Sequence, residues 1–266
     1  MNPYFSISKK KHVVLAALLL ATGHLGGPTL AGADTLADAV HRGDKAHVRS
    51  LLENEPDLSE GDADGNTALH WAALNGDAAL VRELLKRGTP VNATNRVGAT
   101  PLLYSVGNLD AVRALVEAGA EVNQASRFMS TPLIAATRYP ESSAVVRLLL
   151  SRGADPRMKD GAGNTPLDNA AYAGDLETVN LLMAAGLTPK AVIQPARMGH
   201  RQIVKAALEA GADLKTNGKF TGHALNAALY GQQPEIAKLL IEKGADLNFR
   251  SPRGQPETPP HTLGRL

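Results

Sequence analysis

Apolar residues along this chain fall into two alternating kinds of short segment, both at helical spacing. One kind is rich in Val and Leu and reads LVRELL, AVRALV, VVRLLL and TVNLLM in successive places. The other is rich in Ala and precedes it, as in ALHWAALN at 68–75. Apolar residues three and four positions apart line one face of an amphipathic helix. The pattern therefore predicts pairs of helices separated by short turns.

These pairs recur at a nearly fixed distance. A glycine that suits the left-handed end of a helix follows each Val- and Leu-rich segment: Gly88, Gly119, Gly153, Gly186, Gly211 and Gly244. The intervals between successive glycines, counted along the chain, are 31, 34, 33, 25 and 33. A period of about 33 residues is typical of stacked repeats.

Each repeat begins with a glycine-containing turn, such as DADGNT, NRVGAT or DGAGNT, followed by a threonine. Threonine is a favoured N-cap, and proline is tolerated at the first helical position because its missing N–H has no partner there. These residues are therefore predicted to be structural: Thr67, Thr100 with Pro101, Thr131 with Pro132, and Thr165 with Pro166.

The segments GNTALHWAALNGD (65–77) and GNTPLDNAAYAGD (163–175) resemble ankyrin repeats, as do endings such as GAEVN and GADLN. The resemblance implies an all-α repeat solenoid, an ankyrin array of about six to seven helix-turn-helix repeats with β-hairpin tips. In that family the histidine equivalent to His70 ties the threonine of its own turn to the neighbouring repeat. The resemblance therefore implies a structural role for His70.

The ankyrin repeat domain is predicted at 34–250, followed by a proline-rich tail at 251–266. Its repeats are expected at 35–61 (an N-terminal cap), 62–94, 95–125, 126–158, 159–187, 188–215 (lacking the hairpin) and 216–250. Pro195 is expected to remove a helical hydrogen bond and to shorten or kink the first helix of the sixth repeat. Met129 replaces the turn glycine of its repeat.

The segment 1–33 reads as a secretory signal peptide. Three lysines at 9–11 precede an apolar run at 13–21, and a small-x-small site ends at Ala33 before Asp34. A membrane anchor is the alternative, but a span needs about 20 apolar residues and this run is interrupted from Gly23. We expect cleavage between Ala33 and Asp34, and a periplasmic protein, with secretion as the alternative.

Charge and composition limit the partners. The 28 Lys and Arg residues face 26 Asp and Glu, and removal of the three signal lysines leaves 25 basic residues. A nearly neutral mature chain gives no charge argument for nucleic acid, or for a membrane after cleavage. The chain has no cysteine, so it is expected to rely on packing rather than disulfides or thiolate metal sites.

No arrangement of residues in the sequence predicts catalysis. The glycines before Lys219 have the wrong spacing for a phosphate loop, and Phe220 stands where Ser or Thr would bind magnesium. A calcium-loop start at 60–65 has Trp71 instead of Glu at its twelfth position. We therefore expect no enzyme, no catalytic residue, no cofactor and no metal. A small enzyme or metal carrier that uses dispersed His and Asp residues is the weaker alternative.

The resemblance implies that hairpin tips and first helices line a concave face that binds other proteins. Aromatic residues and arginine dominate binding hot spots. The predicted partner-binding residues are Arg96, Arg127, Phe128, Lys219, Phe220, Trp71, Tyr104, Tyr172 and Tyr230. The expected function is a non-catalytic protein-protein interaction module, monomeric alone. Family members that support a periplasmic catalase, neutralise a toxin as immunity proteins or act as exported effectors leave the biological role open.

Overall fold

The computed structural model describes residues 35–138, 141–189, 192–212, 214 and 224–245. The chain divides into two compact units, an N-terminal unit that ends at Thr165 and a C-terminal unit that begins at Pro166. Each unit is described by itself below.

The N-terminal unit consists of paired helices, in which a first helix and a second helix follow each other within one repeat. Its helices are α1 (Leu36–Arg42), α2 (Lys45–Glu53), α3 (Ala68–Asn75), α4 (Ala78–Lys86), α5 (Pro101–Ser105), α6 (Leu109–Glu117), α7 (Pro132–Ala136) and α8 (Ser143–Ser151). First helices contact the first helices of neighbouring repeats, and α4 contacts α6 in the same way. The helices therefore form two stacked rows.

The C-terminal unit repeats this arrangement. Its helices are α9 (Pro166–Ala173), α10 (Leu176–Ala184), α11 (Ile193–Met198), α12 (Arg201–Glu209), α13 (Ala224–Tyr230) and α14 (Pro234–Glu242). The part of the chain that the structure describes thus contains seven helix pairs, one for each predicted repeat. The predicted all-α repeat solenoid is confirmed.

The repeat tips are tight hydrogen-bonded turns. Over the described ranges they contain no strand, and Gly61 and Thr67 form a single isolated bridge instead of the predicted β-hairpin. The tip at 62–66 closes through Asp62 N–H donating to the Asn66 carbonyl at 2.9 Å and Gly65 N–H donating to the Asp62 carbonyl at 2.8 Å. The two ends of this tip are so close in the chain that no length remains for paired strands.

Capping explains where the helices begin. The Thr100 hydroxyl accepts from Leu103 N–H at 3.3 Å, and the Thr131 hydroxyl accepts from Ile134 N–H at 3.2 Å. Pro101 and Pro132 are the first residues of α5 and α7, where no helical N–H bond is lost. The second helices begin after Asp or Asn caps in several repeats: Asp44, Asp77, Asn108 and Asp175.

The core lies between the two rows of helices. First helices contribute Leu69, Leu102 and Leu133, and second helices contribute Leu84 and Leu115, all with at most 1% of the residue exposed. Buried alanines such as those of α3 and α13 leave little side-chain bulk between adjacent first helices. Burying apolar surface contributes about 25 cal/mol of stability per Å². This packing is therefore the main stabilising contribution.

The expected effect of Pro195 on hydrogen bonding is wrong. Pro195 is the third residue of α11 and lies in the first turn, where backbone N–H groups have no acceptor within the helix. The proline therefore removes no helical hydrogen bond. The helix is six residues long and begins only at Ile193.

None of the helices within the described ranges is long and apolar enough to cross a membrane.

Candidate functional site

The tip of the fourth repeat exposes large apolar side chains. Phe128 is 46% exposed and Met129 is 55% exposed, and Arg127 before them is exposed as well. Arg96 occupies the equivalent place in the preceding tip and is also exposed. We call Arg96, Arg127, Phe128 and Met129 the tip patch. The first three are partner-binding residues predicted from the sequence, whereas the sequence marks Met129 only as the replacement of a turn glycine.

The tip patch is held by backbone hydrogen bonds between repeats. Arg96 N–H donates to the Asp64 carbonyl, and Arg127 N–H donates to the Val97 carbonyl, each at 2.9 Å. Within one tip, Asn95 accepts from Val97 and Ala99 N–H groups through its side-chain oxygen. The patch is therefore presented on a row of turns whose backbone positions are fixed by their neighbours.

Met129 adopts a backbone conformation that normally favours glycine. Its φ is +56°, whereas Gly65, Gly98 and Gly163 fill the same place in the other tips with φ between +71° and +85°. A side chain in this region costs on the order of 1 kcal/mol. The turn therefore keeps an exposed methionine at an energetic cost, which is a pattern typical of functional surfaces.

His70 lies wholly inside the N-terminal unit, with 0% of the residue exposed. Its Nε2 lies 3.0 Å from the carbonyl oxygen of Ala99 in the next repeat, and a carbonyl only accepts, so Nε2 carries the proton. Its Nδ1 then accepts from Thr67 N–H at 3.1 Å and from the Thr67 hydroxyl at 3.0 Å. Burial lowers the pKa of His70 to about 4. The neutral ring thus joins Thr67 to the following repeat.

Trp71 is only 7% exposed. Its indole N–H donates to a carboxylate oxygen of Asp62 at 2.8 Å. The His41 ring stacks on the indole with ring centroids 3.7 Å apart and planes 6° apart. A partner can reach little of Trp71, because this side chain joins the cap to the second repeat.

Tyr104 is likewise 7% exposed. Its hydroxyl donates to the side-chain oxygen of Asn66 and accepts from the side-chain amide of Asn95, both at 3.0 Å. The amide of Asn95 also donates to Asn66 at 2.7 Å. Burial, together with the charge of Asp62, raises the pKa of Tyr104. This network connects two tips to a first helix and leaves little of the phenol for a partner.

Tyr172 and Tyr230 have the opposite surroundings. Each is 56% exposed, and each lies near the end of a first helix of the C-terminal unit. Two neighbours that sequence reasoning missed, Arg197 and Met198, are exposed at the end of α11 between them in chain order. Alignment on the residue that ends each first helix could have found Arg197, but the loss of the T-P-L motif in this repeat obscures that register.

Lys219 and Phe220 lie outside the described residues, and so does the predicted cleavage site at Ala33 and Asp34. Thr165 precedes α9, and Pro166 is buried as the first residue of that helix. The partner-binding roles stay predictions for all residues to which they were assigned: Arg96, Arg127, Phe128, Lys219, Phe220, Trp71, Tyr104, Tyr172 and Tyr230.

In the acidic turn that resembles a calcium loop, the carboxylate of Asp62 makes its hydrogen bonds within the fold. One carboxylate oxygen of Asp62 accepts from Asp64 N–H and Asn66 N–H, both at 2.9 Å, and the other accepts from Trp71. Across the ranges that the structure describes, no cluster of three or more His, Asp or Glu side chains is placed to hold a metal ion.

Comparison with known proteins identifies the repeat. Residues 36–126 match the family "Ankyrin repeats (3 copies)", and residues 141–183 match "Ankyrin repeats (many copies)". The chain is 33% identical over 140 residues to the putative ankyrin repeat protein YahD of Escherichia coli (strain K12), covering 52% of this chain and 56% of that protein. It is 34% identical over 168 residues to the ankyrin repeat, SAM and basic leucine zipper domain-containing protein 1 of Oryctolagus cuniculus, covering 60% of this chain and 35% of that protein.

The chain is also 32% identical over 137 residues to the palmitoyltransferase Hip14 of Drosophila melanogaster, and the match covers 51% of this chain. This match covers only 16% of that protein. The chain thus spans between about a sixth and just over half of the length of these relatives. The Escherichia coli and Oryctolagus cuniculus relatives are named for ankyrin repeats, the family that this chain matches.

Proposed function

Since the chain belongs to the ankyrin repeat proteins, with matched repeats at residues 36–126 and 141–183, we propose that it is a non-catalytic module that binds a partner protein through its tips and first helices. Ankyrin repeats suggest protein-protein interaction in general. The finer proposal is that the tip patch of the N-terminal unit is the main contact.

The tip of the fourth repeat carries this proposal. Phe128 and Met129 expose apolar surface side by side, next to the guanidinium of Arg127. Arginine and aromatic residues are the types that contribute most to binding when they become desolvated. The left-handed backbone of Met129 supports the same interpretation, because glycine would relieve it at no cost to the fold.

The row of tips favours binding without reorganisation. The backbone bonds from Arg96 to Asp64 and from Arg127 to Val97 hold the patch before a partner arrives. Ordering a loop costs about 0.5–1.5 kcal/mol per immobilised side chain, so a preformed surface retains more of its contact energy.

We also propose that the protein works in the periplasm, after cleavage between Ala33 and Asp34. The lysines, apolar run and small-x-small site of residues 1–33 support this location. Mass spectrometry of the protein purified from a periplasmic fraction should find Asp34 as the first residue. Intact residues 1–33 on the native protein would contradict the proposal.

In-cell crosslinking followed by pull-down tests the interaction. Wild type is compared with an Arg127→Glu/Phe128→Ala double variant, and with Arg113→Glu as a charge-reversal control on an exposed second-helix position. Circular dichroism checks that all three proteins fold.

We expect one protein to be captured by wild type and by Arg113→Glu, and to be lost with the double variant. Its identity would separate support of a periplasmic enzyme such as a catalase from neutralisation of a toxin. Capture of the same proteins by all three forms would reject the tip patch as the contact.

A further inference from the structure

Three exposed residues of the C-terminal unit occupy one equivalent position in consecutive repeats. Tyr172, Arg197 and Tyr230 each stand two residues before the left-handed residue that follows the first helix. Those left-handed residues are Gly174, Gly199 and Gln232, with φ of +78°, +87° and +55°. We call Tyr172, Arg197 and Tyr230 the Tyr-Arg-Tyr stripe.

Contacts between repeats fix the backbone under this stripe. The carbonyl oxygen of Tyr172 accepts from Nε2 of His200 at 3.1 Å. The carbonyl of Arg197 lies directly against Gly231, where a Cβ atom would overlap it. Tyr172 and Arg197 thus take part in contacts that join one repeat to the next, and Tyr230 directly precedes the glycine that makes the second contact, so the fold sets their spacing.

The arginine at the centre of the stripe is available to a ligand. Ion pairs in this unit join Lys205 to Glu209 and Lys238 to Glu235, and Arg197 has no ion-pair partner among the described residues of the unit. Its side chain is exposed between two tyrosines that each expose more than half of their surface. An exposed guanidinium offers the planar pair of donors that a carboxylate accepts, and the flanking phenols offer apolar contact area.

We propose that the Tyr-Arg-Tyr stripe binds an extended acidic segment of a partner protein, with a carboxylate on Arg197 and an apolar side chain on each tyrosine. This inference rests on the interaction function proposed above and names the chemistry that the C-terminal unit recognises. It gives Arg197, which the family motif does not mark, the central role.

The repeat geometry sets the spacing of the bound segment. Adjacent packed helices lie about 8–10 Å apart, and an extended chain advances about 3.3 Å per residue. One repeat therefore corresponds to about three residues of ligand. The bound sequence has an apolar residue, two free positions, Glu, two free positions and a second apolar residue.

Fluorescence anisotropy with synthetic peptides tests this inference on the purified protein. The probe is a fluorescein-labelled nonapeptide with Leu at positions 2 and 8, Glu at position 5 and Thr elsewhere. Matched peptides carry Gln or Lys at position 5. The variants are Arg197→Gln, Arg197→Glu, Tyr172→Ala and Tyr230→Ala, and Arg201→Gln serves as a control at an exposed arginine on the next helix.

We expect wild type and Arg201→Gln to bind the Glu peptide with a Kd on the order of 10–100 µM. The Gln peptide should bind about 10-fold more weakly or worse, because a charge-assisted bond is lost. Arg197→Gln should remove the preference for Glu, Arg197→Glu should transfer it to the Lys peptide, and each tyrosine variant should weaken binding several-fold.

Equal binding of the Glu and Gln peptides would overturn the inference, as would an Arg197→Gln variant that keeps the preference. No binding of the Glu peptide to wild type up to about 1 mM would overturn it too. These outcomes are separate from the crosslinking test, in which loss of a partner with the Arg127→Glu/Phe128→Ala variant supports the interaction function even if the stripe binds nothing.

Discussion

Tyrosines on equivalent kinds of helix have opposite surroundings in the two units. In the N-terminal unit, Tyr104 on α5 is buried and bonded to two asparagines of the tips. In the C-terminal unit, Tyr172 on α9 and Tyr230 on α13 are each 56% exposed. First helices therefore bury one of these tyrosines in contacts with the tips and expose the other two.

The two units also use different residues to join their repeats. In the N-terminal unit, His70 bonds to the next repeat, and the Trp71 indole stacks on His41 of the cap. In the C-terminal unit, Gly231 lets one first helix approach the carbonyl of Arg197 without a side chain between them. Trp71 thus serves as a connector, whereas the C-terminal unit makes its contacts through His200 and Gly231 and leaves its tyrosines exposed.

The largest expected effect on stability comes from Gly231, where two first helices approach each other closely. Gly231→Ala places a methyl group against the carbonyl of Arg197, which cannot move without shifting α11. We expect a loss of about 3 kcal/mol in the free energy of unfolding, measured by urea denaturation. Gly161→Ala is the control, because its Cβ would meet only the Phe128 carbonyl at 3.4 Å. Equal stability changes in both variants would show that α11 and α13 are not tightly packed.

The pH dependence of the free energy of unfolding should show that His70 is a neutral, buried connector between repeats. Its pKa is lowered by burial to about 4 in the folded protein, against 6.5 for the free side chain. The unfolded chain therefore binds more protons between these values, so the contribution of His70 is complete above pH 6.5 and falls as the pH drops towards 4. From pH 7.5 to pH 5 the loss should be about 2 kcal/mol.

The measurement compares wild type with His70→Gln by urea denaturation at both pH values. The variant keeps every other titrating group, so its stability should fall by about 2 kcal/mol less than that of wild type over this interval. An identical pH dependence in the two proteins would contradict the assignment of a neutral, buried His70.

A smaller effect separates the tyrosines directly. Tyr104→Phe removes a hydroxyl whose partners, Asn66 and Asn95, are then left buried without it. We expect a cost of about 1–2 kcal/mol in the free energy of unfolding. Tyr172→Phe and Tyr230→Phe should change stability by less than about 0.5 kcal/mol. Similar costs for all three would remove the distinction between connector and surface.

The smallest effect tests the strained tip. Met129→Gly relieves the left-handed backbone, and we expect a gain of up to about 1 kcal/mol in stability. The same variant should weaken capture of the partner in the crosslinking experiment. Gly98→Ala is the matched opposite change at an equivalent turn position, with φ of +71°, and should cost about 1 kcal/mol. Destabilisation by Met129→Gly would indicate that the methionine packs into the fold.

Local features were predicted well from the sequence. The regular spacing of the glycines predicted the succession of repeats, and the structure has a helix pair in each of them. The Thr-Pro pairs predicted where α5 and α7 begin, because an N-cap bond and a proline in the first turn depend only on residues within one turn. The predicted loss of a hydrogen bond at Pro195 is wrong because the place of this proline within the helix depends on where α11 begins.

The sequence by itself determined the repeat, the alternation of helices, the net charge of +2 and the absence of cysteine, since periodicity, capping and composition are local or additive properties. Only the tertiary structure decided which aromatic residues are buried. Tyr104 and Tyr172 are the same residue type on first helices, but Tyr104 is the fourth residue after the threonine that precedes its helix and Tyr172 is the seventh, so neighbouring repeats cover one and leave the other exposed. Asn66 and Asn95 enclose one phenol, and no equivalent pair encloses the other within the described residues.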